Sequence, residues 1–338
     1  MIQQNPFTSQ TFTKIWCQHF NKGNATYSFG FISGISFLKP SFLPLYMNVG
    51  KTLTKGMSYF LSEAPNIHDF KKKVFLIYDV PAYFNVKTKH LPKKLRTIKI
   101  KQYPGFLTNL EQYPDFNGFF SSTFNKKSRY KLKSYQRTLE NSFNISYKHF
   151  YGDISVEDYQ IVFDEFNSLL KKRFEDKQET NNNLEPQEWG FYKDSTYPLI
   201  RDKKASLFVI YQDAKPIAMS LNYFSESILF FAMTVFDIDY YKFNIGKVHL
   251  MKLYQWCFDE NIKIVDLSKG DYGYKERWTD LKYHFEHHIY YDAHSITALV
   301  IAQYLKLFFS LKQFLRDKEL NKKLHKITFF LKKSMNSS

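Results

Sequence analysis

Two carboxylates, a phenol and an ammonium sit close together in the run KIVDLSKGDYGYKERW, Lys263 to Trp278: Asp266, Asp271, Tyr274 and Lys275. One carboxylate can take a proton, the phenol can give one, and the ammonium can hold a developing negative charge. Group transfer to an amine or hydroxyl needs that set. A structural reading competes with it, in which Asp271 caps a helix, Tyr274 and Trp278 pack four residues apart, and Lys275 is solvated.

Just upstream, FNIGKVHLMKLYQWCFDEN (Phe243 to Asn261) starts with a glycine and continues as an amphipathic helix. A helix N-terminus carries unpaired backbone N–H groups and a partial positive charge, so it binds phosphate oxygens without a cationic side chain. Asn244, Ile245, Gly246 and Lys247 are the residues at that end. A single glycine before a helix is often only a turn.

The elements that must position these residues read most clearly after Asn144. NISYKHFYG alternates as a strand, and Ser155 caps the helical run SVEDYQIVFDEFNSLLKKRFED. QETNNNLEP is a loop, and a second helix is expected over Glu188 to Ile200. ASLFVIYQ, KPIAMSLNYFS and SILFFAMTVFD follow as a β-meander. The Gly246 helix, the strand KIVDLS, a short helix from Tyr274 to Trp278 and the strand KYHFEHHIYYD complete the order. Before Asn144, TFTKIWCQHF reads as a capped helix with Trp16 and Phe20 on one face. YSFGFISGISFL, FLPLYMNV and VFLIYDV read as strands. DFNGFFSSTFNKKSRYKLKSYQRTLENS is expected to be one long helix ending near Asn141, where the domain boundary falls.

At 338 residues and 40.4 kDa, the chain fits two domains. Its 44% hydrophobic content supports a core, and a net charge of +16 favours polyanionic partners or simply solvates the surface. Cys17 and Cys257 cannot build a disulfide framework or a zinc site, which suits a reducing cytoplasm. His284, His287 and His288 have no carboxylate at metal-ligand spacing and are expected to be packed or solvated; no metal is predicted. MIQQNPFTSQ lacks the pattern of a signal peptide. The most apolar long window, Ile296 to Leu315, is interrupted by Gln303, Lys306, Lys312 and Gln313, so export and membrane spanning are not expected.

The element order from Asn144 to Asp292 resembles the GCN5-related N-acetyltransferase (GNAT) fold. The aspartate-strand, Gly-acid, Tyr-Lys and Trp pattern of Lys263–Trp278 resembles the CelD-like acetyltransferase domain, named for cellulose biosynthesis. The Trp16 segment has a counterpart in that family, so the resemblance extends over nearly the whole chain. It implies an α/β (α+β) fold of two tandem acetyltransferase-like domains with mixed, mostly antiparallel sheets. Residues 1–142 would form an N-terminal half ending in a basic linker helix, 143–293 the domain that binds the cofactor, and 294–338 a basic helical tail. Such proteins are related in architecture to Fem-type peptidyltransferases, which use aminoacyl-tRNA.

The resemblance also implies acetyl-CoA or another acyl-CoA as co-substrate, its pyrophosphate at Asn244–Lys247. The superfamily's cofactor pattern keeps its last glycine as Gly246, while Tyr241 and Asn244 replace the other two positions; Asn tolerates the positive φ required. If the preceding strand splays from its neighbour, Met233, Thr234 and Val235 would line the acyl pocket. Asp266 or Asp271 would be the base, Tyr274 the acid and Lys275 the cation, with Trp16, Arg129 and Lys133 on the acceptor side. The acceptor would be a small molecule or glycan precursor of a cell-envelope or polysaccharide pathway. The protein is expected in the cytoplasm, with a tail able to touch the inner face of an anionic membrane. Two rivals stay open: a Fem-type transferase that uses charged tRNA, and a degenerate GNAT fold that binds RNA or membrane without catalysis. Nucleic acid is a partner only under these.

Overall fold

The computed structural model describes residues 4–62, 67–86, 91–270 and 272–318. These fall into two compact units. The first takes in the chain up to Gly105, a short return at Lys269–Gly270, and the segment from Lys282 onward; the second comprises Phe106–Ser268 and Tyr272–Leu281.

The first unit begins with α1 (Gln10–Phe20), capped by the Ser9 hydroxyl, which accepts from the N–H of Phe12; Phe12, Trp16 and Cys17 face inward. Then come β1 (Tyr27–Phe29), β2 (Ile32–Leu38), β3 (Leu45–Asn48), β4 (Phe60–Leu61), β5 (Val74–Pro81) and β6 (Leu95–Asn109). β3 and β5 run parallel from Leu45↔Val74 to Met47↔Leu76. The chain leaves β3 through a 3-10 turn, Lys51–Leu53, entered through Gly50 at φ 89°, and passes through β4 before β5. The fully buried Asn48 side chain ties the two strands at this point, taking the N–H of Tyr78 at 2.9 Å.

The second unit continues with α2 (Phe116–Thr123), α3 (Lys126–Ser142), β7 (Ile145–Phe150), α4 (Val156–Lys177), α5 (Pro186–Arg201), β8 (Ala205–Gln212), β9 (Lys215–Ser225), β10 (Ile228–Phe236), α6 (Ile245–Asp259), β11 (Ile264–Lys269) and α7 (Lys275–Trp278). From the last residues of β6 the strand order is β6-β11-β10-β9-β8-β7. β7 to β10 pair antiparallel. β10 and β11 pair parallel, because α6 carries the chain back to the same end before β11 starts. Leu250, Leu253, Tyr254 and Cys257 of α6 bury against Leu229, Phe231, Val265 and Leu267 of these strands.

The chain then re-enters the first unit as β12 (Leu281–Asp292) and α8 (Ile296–Asp317). β12 pairs antiparallel with β5, from Phe285↔Pro81 to Tyr291↔Val74. Gly105 of β6 is required here: a β-carbon would sit 2.2 Å from the Tyr283 ring. α8 buries Ala298, Ala302, Leu305 and Phe309 in a cluster with Leu45, Val74, Leu76 and Ile289.

The architecture is mixed α/β with a mixed sheet, as the sequence implies. Three local expectations differ. The predicted long basic helix is two, broken at Phe124 and restarted where the Asn125 side chain accepts from the N–H of Ser128. The fifteen-residue β6 is an element that the sequence pattern does not predict. β12, expected with the second half, pairs with β5, and the compact units do not divide at residues 142/143.

Candidate active site

β10 and β11 are partners only from Ile228↔Ile264 to Phe230↔Asp266. Beyond that β10 runs on to Phe236 and β11 to Lys269, without further pairing between them. The parting coincides with a bulge: Phe231 faces Asn222 while Met233 faces Leu221, which leaves Ala232 as the extra residue. Backbone groups on the β11 side of β10 therefore open into a wedge, the splay on which the cofactor expectation depended. Along it Val235 is fully buried, Met233 is 7% exposed, and the half-buried Thr234 donates to the Met219 carbonyl at 3.3 Å.

The wedge leads to the N-terminus of α6. Asn244 adopts φ 51° and makes no side-chain cap. Its carbonyl accepts from the N–H groups of Lys247 (2.8 Å) and Val248 (3.3 Å). The N–H groups of Ile245 and Gly246 have no acceptor among the described residues and remain as donors for an anion. The Lys247 ammonium sits 2.7 Å from Asn244 Oδ1 and 5.1 Å from the Tyr135 ring centre. Gly246 packs against Phe236, whose ring edge would lie 3.0 Å from an added β-carbon.

The loop feeding α6 is anchored through Asp237, buried to 1% exposure. Its carboxylate accepts from Lys172 of α4 (2.6 Å), from Lys215 (3.2 Å) and from the Asp239 N–H (3.2 Å). Burial alone would push this carboxyl up, but the bonds from Lys172, Asp239 N–H and Lys215 outweigh it and hold the group below its ordinary range. Lys172, which also reaches Asp239 at 2.7 Å, is raised by these same carboxylates.

On the other side of the wedge, Asp266 is fully buried in β11 and its Oδ1 accepts from the Ser268 N–H at 2.7 Å. Lys275 starts α7, is 3% exposed, and donates to the Ser268 carbonyl at 3.1 Å; its Nζ lies 5.4 Å from the Tyr272 ring centre. Tyr274 stays 40% exposed and stacks with Tyr272 at 6.2 Å. Burial, reinforced by Tyr272 and opposed by Arg173, pushes the Tyr274 phenol up to about 12, so it remains a proton donor across the neutral range. Asp271 lies outside the described residues.

Arg173 of α4 escaped the sequence reading. Its guanidinium carbon sits 4.3 Å over the Phe236 ring, near enough to Tyr272 and Tyr274 for their charges to be felt, and burial lowers its basicity. It forms no ion pair among the described residues. Gly246 thus adjoins Phe236 and Phe236 carries Arg173, while Tyr272, within electrostatic reach of Arg173, faces Lys275; these residues mark out a line between the two ends of the site. No motif marks Arg173 in the sequence; only its position on a helical face toward the end of β10 would have pointed to it.

The remaining expected residues lie apart from this line. The Arg129 guanidinium closes the end of α2, donating to the carbonyls of Ser121 (2.9 Å) and Phe124 (2.7 Å). Lys133 borders a surface pocket of ≈700 Å³ between α2, α3 and the second half of α6, which includes neither Gly246 nor Lys275. Trp16 is buried in the first unit, its ring 5.0 Å from that of Phe20 and tilted against it. Trp278 is a core anchor: its ring packs on Phe124 and Tyr254, and its carbonyl accepts from the hydroxyls of Thr108 and Tyr254. Among the described residues no group of three or more His, Cys, Asp or Glu could hold a metal ion.

Residues 126–276 match the family described as an acetyltransferase (GNAT) domain. The chain carries a GNAT-fold domain. That span starts at α3 and ends inside α7, so it contains the wedge, the α6 N-terminus and Lys275. Over most of its length the chain also shares its fold with solved structures of low sequence identity. One is a conserved protein of unknown function from Bacteroides thetaiotaomicron (TM-score 0.54, 12% identity, 86% of this chain and 92% of that one). Another is L-PGS from Bacillus licheniformis (0.53, 12%, 93% and 98%). A third is FemX (0.50, 10%, 75% and 83%). No curated protein matches the sequence.

Proposed function

We propose that the second unit is an acyl-CoA-dependent acyltransferase that modifies an amine or hydroxyl of a cell-envelope or polysaccharide precursor. The observation that carries this reading is the β10–β11 wedge, with a bulge at its apex and uncapped α6 N–H groups at its mouth. The donor fits what is there: the free edge of β10 suits an extended amide-bearing arm, and the Ile245 and Gly246 N–H groups suit a pyrophosphate. Acyl-CoA would supply an activated thioester. On attack the acceptor's N or O bonds to the acyl carbon, the C–S bond breaks, and the Tyr274 hydroxyl gives its proton to the departing sulfur. Lys275, beside the Ser268 carbonyl, contributes positive charge for the developing oxyanion. The acceptor's proton passes to a carboxylate, for which Asp271 is the better choice, since Asp266 is fully buried and holds the Ser268 N–H.

Two observations favour a second reading, aminoacyl transfer from charged tRNA. The solved structures that share this fold over most of the chain include FemX and L-PGS, and the protein carries a net charge of +16. Thermal denaturation separates the two. CoA at a hundred times its dissociation constant adds ~2.7 kcal/mol of stability. A shift with CoA and none with tRNA supports acyl-CoA transfer; the reverse, with steep salt dependence, replaces it by the tRNA reading.

A further inference from the structure

α8 has two apolar faces, and among the described residues only one is covered. Ala298, Ala302, Leu305 and Phe309 are buried against the first unit and span an arc of roughly 60° at ~100° per residue. On the opposite side Ile296, Val300, Tyr304, Leu307, Leu311 and Phe314 are 81%, 61%, 64%, 70%, 54% and 56% exposed. With Phe308 and Leu315 they fill an arc of roughly 120°. A surface helix of a globular protein turns polar residues outward, and an uncovered apolar patch of this length marks an interaction surface. By length and composition α8 is apolar enough to cross a membrane, contrary to the expectation from its interrupting polar residues, yet its inner face is committed to the core of the first unit.

Charge selects the occupant. The exposed Lys306 and Lys312 flank the outward face on either side, and Lys318 follows the helix. The sequence beyond continues KELNKKLHKITFFLKK, with Lys322, Lys323, Lys326, Lys332 and Lys333. Apolar side chains bordered by lysines match the boundary between acyl chains and anionic headgroups. A second copy is a poorer match, because pairing two such faces sets the same lysines against each other on chains that each carry +16. We infer that α8 lies flat on an anionic lipid bilayer, its outward face among the acyl chains and its lysines at the headgroup phosphates. This holds whether or not the second unit transfers an acyl group.

The test is flotation of the full chain with vesicles of phosphatidylcholine alone or mixed with phosphatidylglycerol, alongside size-exclusion chromatography without lipid. The protein should float with the anionic vesicles and stay behind with the neutral ones. Leu307→Glu with Leu311→Glu, both on the uncovered face, should cut flotation at least tenfold while circular dichroism and Tm stay near wild type. Lys306→Glu with Lys312→Glu should weaken binding and make it less sensitive to salt. The inference is overturned if the wild type does not float, or if the leucine variant floats unchanged. It is also overturned if the wild type elutes as a dimer that the leucine variant converts to monomer, since the face would then be a self-association surface.

Discussion

Replacing Gly246 tests the cofactor end of the wedge without touching a charged group. A β-carbon at this position lies 3.0 and 3.2 Å from two atoms of the Phe236 ring. Ordinary carbon contact begins near ~3.5 Å, so the ring or the start of α6 must give by about 0.5 Å. Phe236 carries the Arg173 guanidinium on its face at 4.3 Å, so any shift of the ring also moves the cation beside Tyr274. Crowding a packed site costs about 1–3 kcal/mol, while Gly→Ala in a helix interior gains up to about 1 kcal/mol. Gly246→Ala alone should therefore be destabilised by about 0–3 kcal/mol, a Tm loss of at most about 12 °C at ~2–4 °C per kcal/mol.

The larger effect should appear in the ligand response. With CoA at about a hundred times the wild-type Kd, wild type gains ~2.7 kcal/mol; a tenfold weaker site gains only ~1.4 kcal/mol at the same concentration. The Tm increment should therefore about halve in Gly246→Ala, and isothermal titration should show the tenfold loss directly. Phe236→Leu in the Gly246→Ala background removes the clashing ring edge and should recover much of the binding, giving a coupling energy between the two sites. If Gly246→Ala and the bulkier Gly246→Val both fold and bind CoA as wild type does, the α6 N-terminus is not the phosphate site.

Three further outcomes are expected. Tyr274→Phe should lower kcat by about 10²-fold or more with little change in CoA affinity; because the phenol is pushed up to about 12, its ionisation should not limit the wild-type rate below about pH 10, and an alkaline limb below that pH which vanishes in Tyr274→Phe would contradict the assignment. Lys172→Met removes a principal partner of buried Asp237 and should cost about 1–3 kcal/mol by thermal melts; since Asp237 titrates below its ordinary range, its contribution is present above about pH 4 and lost as pH falls further, so the variant's Tm should depend less on acid. Lys269→Met strands the carboxylate of Asp79, with which Lys269 forms a buried ion pair, at about 3–5 kcal/mol, and Asp79→Asn with Lys269→Met should be close to neutral; burial already holds Asp79 above its usual range and loss of Lys269 raises it more, so the single variant should recover stability as pH falls and the folded state takes up a proton.

Where pattern and capping act locally, the sequence was sufficient. Ser155 caps the helix that follows it, and the β8–β10 meander and its turns lie where alternation puts them. Asn244 takes the positive φ that the altered cofactor pattern demanded. What escaped depends on partners far along the chain. β6 becomes fully buried only toward its end, from Gly105 to Thr108, so its first part carries no apolar run to mark it. β12 reads as the last strand of the domain before it, and nothing local announces a partner more than two hundred residues earlier. The break at Phe124–Asn125 was hidden because apolar and basic residues continue at helical spacing on both sides of it.

The two units share a device and treat it differently, which bears on where chemistry belongs. Each has one parallel strand pair, β3–β5 and β10–β11, and each pair stops pairing after three residues. In the first unit the crossover includes a 3-10 turn and β4, Asn48 ties the parting strands through Tyr78 N–H, and Asp79 beyond them is closed by Thr54 and Lys269. In the second unit the crossover includes a four-turn helix whose first N–H groups are uncapped, and the strands part at a bulge. A polar side chain that satisfies a splayed backbone removes the donors a ligand would need, whereas an uncapped helix above a splay leaves them available. This difference supports the proposal that the donor binds in the second unit. It also makes the Gly246 and Lys269 variants complementary: the first should weaken CoA binding more than stability, the second stability alone.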